Sequence, residues 1–161
     1  MAGTDVHSRS RLRELLVRQY TDVQRGTKRL LQLIPADKYD WAPAPGMRTL
    51  RELAGHLAVI ARYATKGMVS GEWEMPESPA TVDRDIALAE LQQSIDYTLA
   101  QIADISDAEF ERRLVRMPWG PEMTVARAFA AQIEHEIHHR TQLYIYLKIL
   151  GVDMNSLTLF G

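Results

Sequence analysis

The sequence contains no cysteine. This absence excludes disulfides, thiolate metal ligands and a cysteine nucleophile together. A metal site in this chain must therefore be built from histidine and carboxylate side chains. The chain has five histidines, and His135, His138 and His139 lie close together near its C-terminal end.

Long apolar runs and an excess of charge are also missing. No apolar run approaches the roughly 20 residues that cross a bilayer, and segment 1–11 lacks the apolar centre of a secretory signal. The 19 Lys and Arg residues nearly balance the 21 Asp and Glu residues, so nothing draws the chain generally to nucleic acid or to an anionic membrane. We therefore expect a cytoplasmic protein that binds neither.

What the sequence does contain is helical spacing. At 161 residues it has the length of a single domain, 1–161. Four segments with apolar residues three and four apart are separated by stretches rich in Pro, Gly, Asp and Ser. They run from about Ser8 to Ile34, from Thr49 to about Gly71, from about Arg84 to Ala103, and from Thr124 to Leu150. The pattern predicts an all-α four-helix bundle with a long Pro-rich crossover after the second helix.

Several local signals set the helix ends. Thr49 and Glu52 form a T-x-x-E capping box, and Ser106 with Glu109 suggests a second box before a short helical turn. Segment 117–122 is expected to form a turn or a short hairpin. The predicted core positions at the starts of the first and third helices are Leu12, Leu15, Leu16, Ile86 and Leu88.

The candidate chemistry lies in the last helix. His135 and His139 are four residues apart, so they lie about 40° apart around a helix and one turn apart along it. Their imidazoles can therefore converge on one ion. Ala128 and Ala131 lie near the same face and leave room for an ion or a substrate. Two imidazoles on a core-facing stripe lose hydration without adding hydrocarbon contacts, which favours metal ligation over simple packing.

A third ligand is needed to hold a metal, and the candidates are His7, His56, His138 and the carboxylates. His138 lies about 100° around the helix from His139, and His7 falls in a terminus expected to fray. His56 lies in the middle of the second helix, on the flank of its core stripe. We therefore predict a triad of His56, His135 and His139, which leaves an open position for water on a zinc-like ion.

One rival interpretation comes from the same residues. His135 to His139 match the H-E-x-x-H pattern of zincin proteases, in which the glutamate, here Glu136, acts as the base. In those enzymes the third ligand follows the helix, but no His or Glu follows His139. The G-x-x-H extension is missing as well. A zincin-type protease is therefore the weaker alternative.

Two separated stretches resemble the DinB/YfiT-like superfamily. They are segment 47–57, MRTLRELAGHL, and the later His135-x-x-x-His139-Arg140-Thr141-Gln142. The lead-in Trp41-x-Pro43-x-Pro45 and Trp119-Gly120 before the last helix are also similar to that family. The resemblance spans nearly the whole chain. It departs from the family pattern at Thr141, where Gly is common.

The resemblance implies a bundle of up-down-down-up type with one divalent metal ion, zinc or nickel, on His56, His135 and His139. Family members are often dimers and are not DNA-binding proteins. Characterised members include hydrolases and transferases that use a low-molecular-weight thiol such as bacillithiol or mycothiol. We therefore expect a metal-dependent hydrolase or thiol-dependent transferase that acts on a small molecule through a metal-activated water or thiol.

No catalytic residue can be assigned from the sequence alone. Gln142, Tyr146, Glu52 and Glu134 are candidates for orienting the ligands or positioning a substrate. For each of them an ordinary bundle or surface position is the favoured interpretation. His138 is a candidate proton shuttle or interface residue.

A second apolar strip on the last helix bears on assembly. Ile133, Ile137 and Tyr144 must be covered by another helix or by a second copy of the chain, and we expect a homodimer. A metal-binding bundle without turnover, such as a sensor or binding module, remains an alternative, as does a bundle whose histidines bind no metal. The sequence does not name the substrate, and it does not separate zinc from nickel, because imidazole suits both.

Overall fold

The structure, a computed structural model, describes residues 10–74 and 82–159. Five helices and one hairpin account for most of this part of the chain. The elements are α1 (Arg11–Gln32), α2 (Leu50–Ser70), α3 (Arg84–Asp104), α4 (Asp107–Arg112), β1 (Leu114–Arg116), β2 (Glu122–Thr124) and α5 (Val125–Ile149). Short 3-10 turns cover Ala36–Lys38 and Ser156–Leu159. The expected all-α bundle is confirmed. The two prolines of the predicted crossover, Pro76 and Pro79, lie outside the described residues.

The helix ends follow the local signals. Both capping boxes are present, with the side chains of Thr49 and Ser106 accepting from the backbone N–H groups of Glu52 and Glu109. Thr124 caps α5, and Gly71 ends α2 with a φ of 80°, in the left-handed region that glycine tolerates best. These signals could be placed correctly because each depends on residues within one turn of the helix end.

The prediction for the first helix was too long. Its N-cap is Ser10, whose side chain accepts from the N–H of Arg13, and it ends at Gln32, with Leu33 as its C-cap. Leu12 and Leu15 were expected in the core but are 44% and 62% exposed. The buried apolar stripe of α1 instead begins at Leu16, and in the first turn Arg13 is the residue that packs inward, over the ring of Phe110 and against Asp107.

In the third helix the buried face is offset from the predicted one. Ile86 was expected in the core but is 39% exposed, and Leu88 is half-buried. The buried stripe of α3 begins with Ala87 and Leu91. This face also includes Ser94 and Thr98, polar residues that an apolar pattern does not mark.

The bundle has a definite neighbour order. Helix α1 packs against α3 and α5, and α2 packs against the same two helices. Helix α4 and the hairpin lie against the N-terminal half of α5. The strands pair antiparallel, with Val115 opposite Met123, which confirms the predicted hairpin. Among the described helices, none has the length and apolar character needed to cross a membrane.

The buried apolar residues form two clusters rather than one. The first contains Leu30 and Leu31 of α1, and the second contains Tyr20 and Val23 of the same helix. Between the clusters, every long helix contributes polar side chains that are buried or half-buried. We call this set the polar layer: Gln24, Thr27, His56, Ser94, Thr98, Gln132, His135, Glu136, His139 and Arg140.

The second apolar strip of the last helix is covered within the chain. Ile133 is buried in the second cluster and Ile137 packs against it, whereas Tyr144 packs against the first cluster. Another part of the same chain thus covers this strip. A homodimer stays a prediction, without the support that the strip was expected to give.

Candidate metal centre

Two neighbouring helices bring three histidines together. His56 comes from the middle of α2, and His135 and His139 come from α5. One ring nitrogen from each residue lies within 4.8 Å of the other two. The Nε2 atoms of His135 and His139 are 3.0 Å apart. The spacing of four residues on α5 and the position of His56 on the adjacent helix produce the grouping predicted from the sequence.

The ring nitrogen of His56 is the most informative atom of the site. The Nε2 atom of His56 is buried and has no hydrogen-bond partner. Burial, followed by the neighbouring His139, Arg48 and His135 side chains, lowers the pKa of His56 to about 3. The imidazole is therefore neutral at pH 7, with a nitrogen that no protein group satisfies.

The two histidines of α5 are also held neutral. Burial, followed by His139 and His138, lowers the pKa of His135 to about 4. Burial lowers the pKa of His139, and its hydrogen bond with Gln142 opposes that shift. Neutral imidazoles are the form that ligates a metal.

A hydrogen-bonded chain fixes the orientation of His139. Its Nδ1 atom lies 3.1 Å from Oε1 of Gln142, and Nε2 of Gln142 donates to the hydroxyl of Tyr146 at 3.0 Å. An N–H at Nδ1 leaves the lone pair of Nε2 pointing to the other two histidines. Tyr146 is itself fixed by an edge-on contact with Trp41.

The other candidates from the sequence lie elsewhere. The carboxylate of Glu52 accepts from the backbone N–H of Thr49 at 2.7 Å in the capping box. Glu134 pairs with Arg127 on the surface. His138 is exposed, with its ring centroid 5.1 Å from that of His139. His7 lies outside the described residues.

Glu136 lies on the far side of α5. It is fully buried, and its two carboxyl oxygens accept hydrogen bonds from the side-chain amides of Gln24 and Gln132. Burial raises its pKa to about 8, while Gln132 and Arg140 act against that shift. A carboxyl group enclosed in this way is not placed as the base of an H-E-x-x-H protease. The sequence did not reveal this burial, since Gln24 is distant in the chain.

An apolar pocket of about 290 Å³ adjoins the histidines. Helices α2 and α5 form two walls, and the segment after α2 and the hairpin turn form the others. Ala128 and Ala131 line it, as their small size suggested, and Trp73 was not anticipated. The lining residues are Ile60, Tyr63, Ala64, Met68, Trp73, Met117, Pro118, Trp119, Ala128, Ala131, Gln132 and His135.

The sequence of this chain is similar to those of one known protein family. The family model of the DinB superfamily matches residues 19–143, which include all three histidines. The uncharacterized protein YjoA of Bacillus subtilis (strain 168) is 23% identical over 130 residues, covering 78% of this chain and 82% of YjoA.

Solved structures show the same fold. A candidate DinB family member from Exiguobacterium sibiricum 255-15 is 26% identical, with a TM-score of 0.71 over 91% of this chain and 96% of its own. YfiT from Bacillus subtilis is 17% identical, with a TM-score of 0.73 over 95% of each chain. YfiT is described as a probable metal-dependent hydrolase with an unusual four-helix bundle topology. At that identity the likeness to YfiT concerns the fold alone.

Proposed function

Because this chain belongs to the DinB superfamily, we propose that it is a metal-dependent enzyme whose ion is bound by His56, His135 and His139. The reaction is hydrolysis of a small molecule, or transfer of a low-molecular-weight thiol to one. Zinc and nickel both suit three imidazoles. Metal-dependent hydrolysis is the activity in the description of YfiT, and we extend it here to this chain.

The single observation that carries the proposal is the unsatisfied nitrogen of His56. A buried polar atom without a partner costs free energy, on the order of 1–3 kcal/mol, and native structures rarely retain one without a reason. One ring nitrogen of His56 lies within 4.8 Å of ring nitrogens of both His135 and His139. An ion bound to all three would satisfy them at once, so the donor set fits a divalent metal.

The protein side chains supply orientation and access. A divalent ion with an open position lowers the pKa of a water or thiol that it binds, which makes that group nucleophilic near neutral pH. Gln142 holds the proton of His139 at Nδ1, and Tyr146 holds Gln142 in turn. We assign both as positioning residues. The apolar pocket beside His135 leaves room for a substrate next to the centre.

Metal content tests the triad directly. Untagged protein, purified without a nickel column, is measured by elemental mass spectrometry alongside His56→Ala, His139→Ala and His138→Ala. We expect about one zinc or nickel ion per chain in the wild type and in His138→Ala, the matched control because its side chain is adjacent but exposed. Both other variants should lose the ion.

Other outcomes have distinct meanings. Metal retained in His56→Ala and lost in His139→Ala would move the third ligand elsewhere. No metal in the wild type after addition of zinc or nickel would contradict the proposal. Metal bound without turnover would favour the sensor or binding module.

Activity is measured on the loaded protein. One assay follows hydrolysis of p-nitrophenyl acetate, and the other follows consumption of bacillithiol or mycothiol in the presence of 1-chloro-2,4-dinitrobenzene. Turnover that requires the ion and disappears in His56→Ala supports an enzyme. Turnover only with the thiol present selects the transferase over the hydrolase.

A further inference from the structure

The apolar pocket continues the two helix faces that carry the histidines. Ile60 lies one turn beyond His56 on α2, and Ala131 lies one turn before His135 on α5. His135 itself lines the pocket. A molecule that occupies the pocket therefore has one end at the candidate metal centre and extends along the bundle from there.

The far wall of the pocket is built around one tryptophan. The indole of Trp73 lies against Gly67, where a Cβ atom would come within 2.3 Å of Cε3. Its Nε1 donates to the carbonyl of Arg116 at 3.0 Å, and its ring contacts that of Tyr63. Trp73 is thus held by α2 and by the hairpin together. A side chain fixed from three directions is a formed surface for a ligand to pack against.

The rest of the wall is apolar or aromatic. Met68, Met117 and Trp119 complete it, and no Asp, Glu, Lys or Arg among the described residues lines it. Apart from the aromatic side chains of Tyr63, Trp73 and Trp119, its polar residues are His135 and Gln132. Nε2 of Gln132 donates to Glu136 at 2.8 Å. A charged group in such a pocket would lose its hydration without a partner. An uncharged ring would gain contacts on several sides.

The size of the pocket limits the ligand. An engineered cavity of about 150 Å³ holds benzene, and this pocket measures about 290 Å³. It therefore accepts one substituted ring or two small rings. It is too small for a peptide segment or a nucleotide.

We propose that this pocket binds the uncharged aromatic part of the substrate and places the reactive group of the same molecule at His135. The substrate class is a small aromatic molecule, one ring or two, with its hydrolysable or electrophilic centre next to the ring. The orientation of the reactive group rests on the proposed metal-dependent function, whereas binding of the ring does not.

Two hydroxamates test the orientation. Zinc-loaded protein is titrated by calorimetry with acetohydroxamate and with benzohydroxamate, which share a zinc-chelating group and differ by a ring. We expect benzohydroxamate to bind at least about 10-fold more tightly, as a well-fitted apolar group does. Ala131→Leu, which fills the pocket, should bring the ratio close to one. Ala89→Leu, at an exposed position of α3, is the matched control and should keep it.

A second variant keeps the test valid if Ala131→Leu does not fold. Trp119 is 64% exposed, so Trp119→Ala removes part of the wall at little risk to the core, and it should reduce the ratio as well. A wild-type ratio near one would overturn the proposal. So would a ratio that survives both Ala131→Leu and Trp119→Ala.

Benzyl alcohol tests ring binding in the pocket independently of the metal. It carries a ring and no chelating group, and its binding to metal-free protein is followed by NMR line shifts. Saturable binding of benzyl alcohol to the wild type that is lost in Ala131→Leu supports binding of an aromatic ring in the pocket. If neither hydroxamate binds but benzyl alcohol does, only the proposed metal-dependent function fails. No saturable binding, or equal binding in Ala131→Leu, overturns the aromatic-ring assignment.

Discussion

At the scale of single residues, the site depends on how neutral imidazoles are arranged. Nε2 of His135 and Nε2 of His139 are 3.0 Å apart, a distance that two protonated rings would not tolerate. Burial keeps the pKa of each ring below its usual value. The hydrogen bond of His139 to Gln142 then decides which nitrogen of that ring carries the proton. Gln142 therefore acts on the site without being a ligand.

Replacement of Gln142 should weaken metal binding. We expect Gln142→Ala to lower zinc affinity by roughly 10–100-fold, the usual effect of losing a partner that orients a metal-bound histidine. The measurement is competition with a chelator of known affinity. Gln142→Glu keeps an acceptor and should restore most of the affinity. Gln93→Ala, exposed on α3, should leave it unchanged. Equal affinity in Gln142→Ala and the wild type would contradict the positioning role.

At the scale of helices and loops, the pocket depends on a close contact at the end of α2. Gly67 has no side chain, and the indole of Trp73 occupies the space where one would be. Alanine in a helix interior is normally about 0.5–1 kcal/mol more stable than glycine. Here that gain is opposed, because a Cβ atom would displace the ring.

Gly67→Ala should therefore move Trp73 instead of stabilising the protein. We expect a red shift of tryptophan emission and no rise in the free energy of unfolding. In the Trp73→Ala background the obstacle is gone, so the same substitution should stabilise by about 0.5–1 kcal/mol. Chemical denaturation of the wild type, the two single variants and the double variant measures these changes in the free energy of unfolding. A gain of that size in the wild-type background would show that Trp73 does not pack on Gly67.

Helix ends and the histidine grouping could be predicted from the sequence, whereas contacts between distant elements could not. Caps at Thr49, Ser106 and Thr124 were predictable because each involves neighbours within one turn. The grouping of the three histidines was predictable because spacing on α5 placed His135 and His139 together, and elimination together with family resemblance selected His56. The role of Trp73 as a pocket wall was not predictable, because it depends on the contact of α2 and the segment after it with the hairpin. Likewise the contact between Gln24 and Glu136 joins α1 to α5, and no local pattern reports it.

At the scale of the whole molecule, buried ionisable groups give metal-free protein a characteristic pH dependence. The unfolded chain takes up protons at His56 and His135 as the pH falls below about 6.5, whereas the folded protein does so only near pH 3–4. Stability therefore falls as the pH falls through this window. Glu136 acts oppositely. Burial raises its pKa from the usual 4.5 to about 8 in the folded protein, so its contribution to stability is lost as the pH rises between those values.

Glu136→Gln should separate the two effects. The amide has no proton to release, so the variant should lose less stability than the wild type between about pH 5 and 8, while the acid-side loss caused by the histidines remains. Urea denaturation of metal-free protein across this range is the measurement. Glu136→Ala is the contrasting variant: it leaves the amides of Gln24 and Gln132 without their acceptor and should be less stable by about 1–3 kcal/mol. Parallel curves for Glu136→Gln and wild type would show that the carboxyl group does not keep its proton when folded.

The polar layer between the two apolar clusters has one more consequence, for the alignment of the helices along the bundle axis. Uniformly apolar helices can slide past one another by a turn, about 5.4 Å, and still bury hydrocarbon against hydrocarbon. Here such a slide of α5 would carry Glu136 and Arg140 into an apolar cluster and separate Glu136 from Gln24. The layer thus permits a single axial register, a role well attested for buried polar residues in helical assemblies. That same register keeps His56 level with His135 and His139.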